Sequence, residues 1–259
     1  MHKHLEYADL LSGDAIFIEK VGHFRSPFLY ELKPSGIGEL NYKLFLRVFA
    51  WNKEEIIQYL KILGLRGLKP LEQQSELNCY DILTLLEPTR DLLCKALDFF
   101  MVDNLKWDKT KRHIEVFNEN QLIGIINRNN FELVKDIVLQ LNYVGLSKNK
   151  NVSKVADTAK TKARWEQAQK FLEQGIKKPE TNSEDTKGYD IGNIISKLCA
   201  THNSYNLLNV YNLTVFQLYD QFFQVFYLRS VDLQERIFSI HGSKDFKMEN
   251  WIKPLNKGD

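Results

Sequence analysis

What the chain lacks narrows its chemistry before anything else does. It has three cysteines in 259 residues, Cys79, Cys94 and Cys199, an odd number at wide spacings. Such usage provides neither a disulfide framework nor a zinc knuckle, and it suits thiols placed in a core within a reducing cytoplasm. No run of about 18 apolar residues occurs, so no membrane-spanning helix is expected. The opening Met1-His-Lys-His-Leu-Glu-Tyr holds no apolar stretch of signal-peptide length, so secretion is not expected either. Charge of one sign is also missing: the formal net charge is +2. That is too little to draw the whole molecule to nucleic acid or to an anionic membrane, and any such attraction must be local.

Catalytic signatures are absent as well. No phosphate-binding loop ends in Lys-Ser or Lys-Thr, and no Gly-x-Ser-x-Gly elbow is present. The histidines, at positions 2, 4, 23, 113, 202 and 241, never stand four apart with the intervening Glu of a helical zinc site. Gly36-Ile-Gly38 lacks the third glycine and the downstream acid of a dinucleotide fold, and reads as a helix-entry turn. His202, in a polar run, is expected to hold a loop by hydrogen bonds. No catalytic residue, metal ligand or cofactor is assigned, and a non-enzymatic chain that works by binding macromolecules is expected.

What is abundant is aromatic surface. There are 16 Phe, 11 Tyr and 4 Trp, and many of them fall between Tyr205 and Trp251, which suggests a surface meant for another protein.

The periodicity predicts an α+β, mainly helical protein in three parts. Residues 1–146 read as an α+β domain. Short extended pieces at Ala15–Val21 and Phe24–Leu32 precede a helix with Leu40, Leu44, Phe45 and Val48 on one side. A second helix follows Asn52, carries Ile56, Ile57, Leu60 and Leu63, and stops at Gly64. A short helix spans 78–85, and Pro88 suits the first turn of the next, in which Leu93, Ala96, Leu97 and Phe100 share a face. Beyond Trp107 the period falls to two. His113–Phe117 and Leu122–Ile126 read as a β-hairpin around Asn118-Glu-Asn-Gln, with Asn129 or Asn130 capping a helix that carries Phe131, Val134, Ile137, Val138 and Leu141.

Residues 147–188 read as a charged helix and flexible linker. Between Lys148 and Lys178 nine basic residues face three acidic ones. Lys160, Lys162, Arg164 and Lys170 could neutralise phosphates and Trp165 could stack on a base. A solvated helix accounts for the same residues, because the acids are interleaved and no groove-reading motif accompanies them.

Residues 189–259 read as a helical interaction domain. Asp190 can cap a helix bearing Ile191, Ile194, Ile195 and Leu198, and Thr214 can cap the next, from Val215 to about Arg229. On that last helix Val215, Leu218, Tyr219, Phe222 and Phe226 form one stripe, with Phe216, Phe223 and Tyr227 in a second beside it. One core contact needs a face of roughly 100°. The helix is therefore either buried centrally or carries an interface.

The runs Asp190-Ile-Gly-Asn-Ile-Ile-Ser and His202-Asn-Ser-Tyr-Asn-Leu-Leu-Asn-Val-Tyr-Asn-Leu-Thr-Val-Phe-Gln-Leu-Tyr-Asp-Gln-Phe resemble a segment of tail-assembly-chaperone-like proteins from phages of low-GC Gram-positive bacteria. Leu122-Ile-Gly-Ile-Ile-Asn-Arg-Asn-Asn-Phe is similar to the same group, and the likeness covers about half the chain. The resemblance implies a non-enzymatic factor in the host cytoplasm, or in the virion, that binds tape-measure and tail-tube proteins, with self-association as a further option. Phe216, Tyr219, Phe223 and Tyr227 are then the candidate protein contacts. A nucleic-acid-binding or regulatory phage protein acting through residues 154–178 is the alternative.

Overall fold

The computed structural model describes residues 4–64, 76–144 and 190–241. Eight α-helices and five strands occur among them, in the order α1 (Tyr7–Ser12), β1 (Ile16–Ile18), β2 (Gly22–Phe24), α2 (Glu39–Ala50), α3 (Lys53–Ile62), α4 (Cys79–Leu85), α5 (Glu87–Phe100), β3 (Asn104–Asp108), β4 (His113–Asn118), β5 (Gln121–Ile126), α6 (Phe131–Leu141), α7 (Ile191–Thr201) and α8 (Val215–His241). Short 3-10 turns at Leu29–Leu32 and Val210–Asn212 complete the path. The mainly helical α+β class read from the sequence is what the structure has.

Local chemistry explains most of the helix starts. Asn52 accepts from the Glu55 amide at 2.9 Å while the Glu55 carboxylate accepts from the Asn52 amide at 2.9 Å, a reciprocal capping box that opens α3. Asn78 and Asp81 repeat the device for α4 at 2.9 and 3.1 Å. Pro88 lies in the first turn of α5, where a missing amide hydrogen costs nothing. Asp190 caps α7 by accepting from the Asn193 amide at 2.7 Å. Asn130 departs from expectation: it precedes α6, yet its side chain accepts from the Asn127 amide at 2.8 Å and donates to the Ile125 carbonyl at 2.7 Å. It closes the β5–α6 turn and leaves the helix's own amides uncapped by its side chain.

β1 and β2 pair antiparallel, as do β3, β4 and β5 in that order. The hairpin expected between β4 and β5 is present, and β3 is an added strand that sequence periodicity did not separate from the turn after it. The two sheets are stitched together. Ile125 donates its amide to the Lys20 carbonyl at 3.0 Å, and Val102 donates to the His23 carbonyl at 3.1 Å. Gly22 permits this approach, because with φ at +129° a Cβ there would meet Asp103 Oδ2, Met101 Cε and Val116 Cγ1, each at 2.8 Å.

The inner face of the larger sheet, Ile114, Val116 and Ile126, is fully buried. Behind it, Phe49 of α2 meets Phe100 of α5 edge-on with ring centres 5.7 Å apart, and lies 6.3 Å from Phe131 of α6. The buried face of α2 is Tyr42, Leu46, Val48 and Phe49, whereas Leu40 is 81% exposed. Of the face expected for this helix, Val48 alone is fully buried. Two apolar sets interleave in its sequence, and the neighbours, not the period, select between them. In α3, Ile56, Ile57 and Leu60 are buried as expected, and Leu63 is exposed at the helix end.

The main hydrophobic core runs through the described residues from Leu5 to Phe223, and Tyr227 and Val231 form a small second cluster on α8. Residues of α7 and α8 share the main core with those of α1, α2 and α5, so residues 190–223 do not form a core apart from the first 144 residues. The charged helix and linker expected at 147–188 lie outside the described residues.

Candidate functional site

The last helix carries the residues that sequence analysis singled out. α8 begins with a capping box: Gln217 donates its amide to Thr214 Oγ1 at 3.2 Å, and Thr214 donates to Gln217 Oε1 at 2.9 Å. The Gln217 amide side chain also donates to the Leu11 carbonyl at 2.8 Å, tying the end of α1 to this turn. Ahead of it, Val215 donates to the Pro27 carbonyl at 2.9 Å, and Phe216 donates its amide to Ser26 Oγ at 3.1 Å. These bonds draw the start of α8 into the interior. The helix then continues to His241, 27 residues in all, beyond the expected end near Arg229.

The four candidate contact residues are inside. Phe216 is 0%, Phe223 2%, Tyr227 8% and Tyr219 9% exposed. Tyr143, held at φ +62° just after α6, inserts its ring among them. Its centre lies 5.2 Å from Phe216, 6.1 Å from Tyr219 and 5.4 Å from Phe223. Tyr7 of α1 meets Phe216 edge-on at 6.4 Å. Phe216, Tyr219 and Phe223 pack in the main core, and Tyr227 packs with Val231 in a small separate cluster. The buried set draws on both stripes read from the sequence, Val215, Leu218 and Tyr219 from one and Phe216, Phe223 and Tyr227 from the other.

The later turns of α8 leave other apolar residues outward. Phe226 is 37%, Leu228 47% and Leu233 55% exposed, with Phe222 half-buried. Phe222, Phe226 and Leu233 are spaced by four and seven residues, which puts them on one helical face. Lys160, Lys162, Arg164, Trp165 and Lys170, the candidate nucleic-acid contacts, lie outside the described residues.

Other polar constellations have structural accounts. Asp103 is buried and accepts from the His23 amide at 2.6 Å, from His23 Nδ1 at 3.1 Å and from Asn118 Nδ2 at 3.1 Å, clamping β2 onto the larger sheet. His202 accepts from the Ser204 amide at 3.2 Å and stacks near Tyr205, the loop-holding role expected of it. Burial pushes the Cys79, Cys94 and Cys199 thiols up, away from the nucleophilic thiolate.

One group escaped sequence analysis. At the β3–β4 turn, Asp108, His113 and Glu115 bring one ligand atom each within 4.8 Å of one another. Asp108 pairs with His113 across the strands. His113 and Glu115 are two apart on β4 and share the face opposite Ile114. The sequence signal, an acid five residues before His-x-Glu, acquires meaning only once the strand register is known.

No helix among the described residues is long and apolar enough to cross a membrane. No curated protein and no solved structure matches the chain. Residues 177–256 match the family described as the YomV second domain, which is phage-derived; the match covers less than a third of the chain and suggests a phage-associated protein.

Proposed function

We propose that the chain is a non-enzymatic phage tail-assembly factor that binds an elongated tail protein of the tape-measure class, with the tail-tube subunit as a second client. It does so through the outward stripe of α8. The observation that carries this reading is the stripe itself. Phe226 and Leu233 stand exposed beside half-buried Phe222 on a helix whose neighbouring face is anchored in the core, inside the segment similar to a phage-derived domain. A rigidly seated helix with large apolar groups on its free side loses little side-chain entropy when a partner helix docks.

The test uses the full chain with Phe226→Ser and Leu233→Ser combined. Both positions are partly solvated, so stability is expected to change by no more than about 1 kcal/mol. Capture of the tape-measure protein from infected cells is expected to fall by roughly tenfold or more. Undiminished capture by a folded double variant would refute the surface. A change from oligomer to monomer in the variant, with capture unaffected, would mean that the stripe joins two copies of this chain.

A further inference from the structure

We propose that Asp108, His113 and Glu115 form a binding site for a divalent transition-metal ion of the zinc class, seated at the β3–β4 turn. This assignment is independent of the docking surface on α8. It starts from an unmet need: His113 Nε2 is buried and has no hydrogen-bond partner, on a side chain only 12% exposed. The nitrogen points between two carboxylates, 3.6 Å from Glu115 Oε1 and 4.0 Å from Asp108 Oδ2. Both separations are too long for hydrogen bonds and reach only ion-pair distance for a protonated ring.

The spacing fits an ion instead. Zinc takes imidazole nitrogen and carboxylate oxygen at about 2.0–2.2 Å, which puts neighbouring donors of a tetrahedral site about 3.4 Å apart. Closing the observed gaps requires movements on the order of 1 Å, within reach of side-chain rotation about fixed strands. The imidazole among the donors selects against calcium and magnesium, which prefer all-oxygen shells.

The local electrostatics already call for positive charge. Lys111 Nζ lies 3.7 Å from Asp108 Oδ2 and 4.0 Å from Glu115 Oε1, on a side chain that is 64% exposed. It pairs with both acids at ion-pair and not hydrogen-bond distance, and a long solvated ammonium is easily displaced by an ion. Asp108 is meanwhile fixed for the task. Its Oδ1 accepts from the Thr110 amide at 2.8 Å and the Lys111 amide at 3.1 Å, leaving Oδ2 to face His113. An ion here staples the two ends of the turn together and leaves its remaining coordination positions to water.

The experiment is titration of zinc into the untagged full chain after chelator dialysis, followed by calorimetry and thermal unfolding, with cobalt as a spectroscopic substitute. One ion per chain is expected, with a raised melting temperature and visible cobalt absorption of low symmetry. Glu115→Gln is isosteric, and Asp108→Asn keeps the Oδ1 acceptor, so both variants are built to fold. Each is expected to weaken zinc binding by at least about tenfold, as is His113→Asn. Lys111→Met is expected to tighten it, and His202→Asn, at a distant loop, to leave it unchanged. Absence of zinc binding, equal affinity in wild type and Glu115→Gln, or tighter binding of calcium than zinc would each overturn the assignment.

Discussion

Asp220 lies on the buried side of α8, 1% exposed, where it accepts from the Tyr7 hydroxyl at 2.7 Å. Burial raises its pKa, and hydrogen bonds from Tyr7, Gln221 and Gln224 offset that only in part. The folded state therefore holds this proton more tightly than the unfolded chain does. The contribution is complete below the ordinary carboxylate range and is lost as pH rises through the raised native value. Above that value an ionised group must be kept in the core. Asp220→Asn preserves an acceptor for Tyr7 and removes the ionisation, so its melting temperature is expected to exceed that of the wild type there. The difference is expected to shrink to nothing in acid, and parallel thermal melts across that range check both limits. Phe216, fully buried between Tyr143 and Tyr7, illustrates the companion rule. A charge placed there reports on stability, not on docking.

At the scale of elements, β5 lies tight against the β1–β2 turn. A Cβ on Gly124 would lie 2.7 Å from the carbonyl carbon and oxygen of Val21 and 2.8 Å from that of Lys20. These are backbone atoms that cannot swing aside. Gly124→Ala must therefore separate the two sheets or break the bond from the Ile125 amide to the Lys20 carbonyl. A loss of ~2–3 kcal/mol in chemical denaturation is expected, with faster hydrogen exchange at Ile125. A loss below about 0.5 kcal/mol would show that the sheets slide freely. Helix starts at Asn52, Asp190 and Thr214 were legible in the sequence, because a cap is settled by residues three apart. The buried face of α2 was not. Leu40 and Tyr42 both suit an apolar face, and packing against α5 and α6 put Tyr42 inside. The Asp108–His113–Glu115 group was illegible for a related reason: strand pairing, not local order, brings its members together.

For the whole molecule, the main core, shared by both ends of the described chain, has a direct consequence for fragments. Phe216, Tyr219 and Phe223 find their partner ring in Tyr143, and Asp220 finds its donor in Tyr7. Residues 177–256 expressed alone would leave those side chains without partners, despite matching a family described as a domain. Such a fragment is expected to give no sharp thermal transition and weak near-ultraviolet dichroism. A cooperative melt of the isolated piece would mean that it completes a second core by itself.

The sequence by itself determined the helical periodicity, the β4–β5 hairpin, the caps at Asp190 and Thr214 and the abundance of aromatic residues near the carboxyl end, since each is written in residues a few positions apart. Only the tertiary structure decided which aromatic residues of α8 turn inward, which face of α2 is covered, and that an acid, an imidazole and a second acid converge at one turn. Those outcomes depend on contacts between residues distant in the chain, such as Tyr7 and Tyr143 with Phe216, and a local pattern carries no record of them.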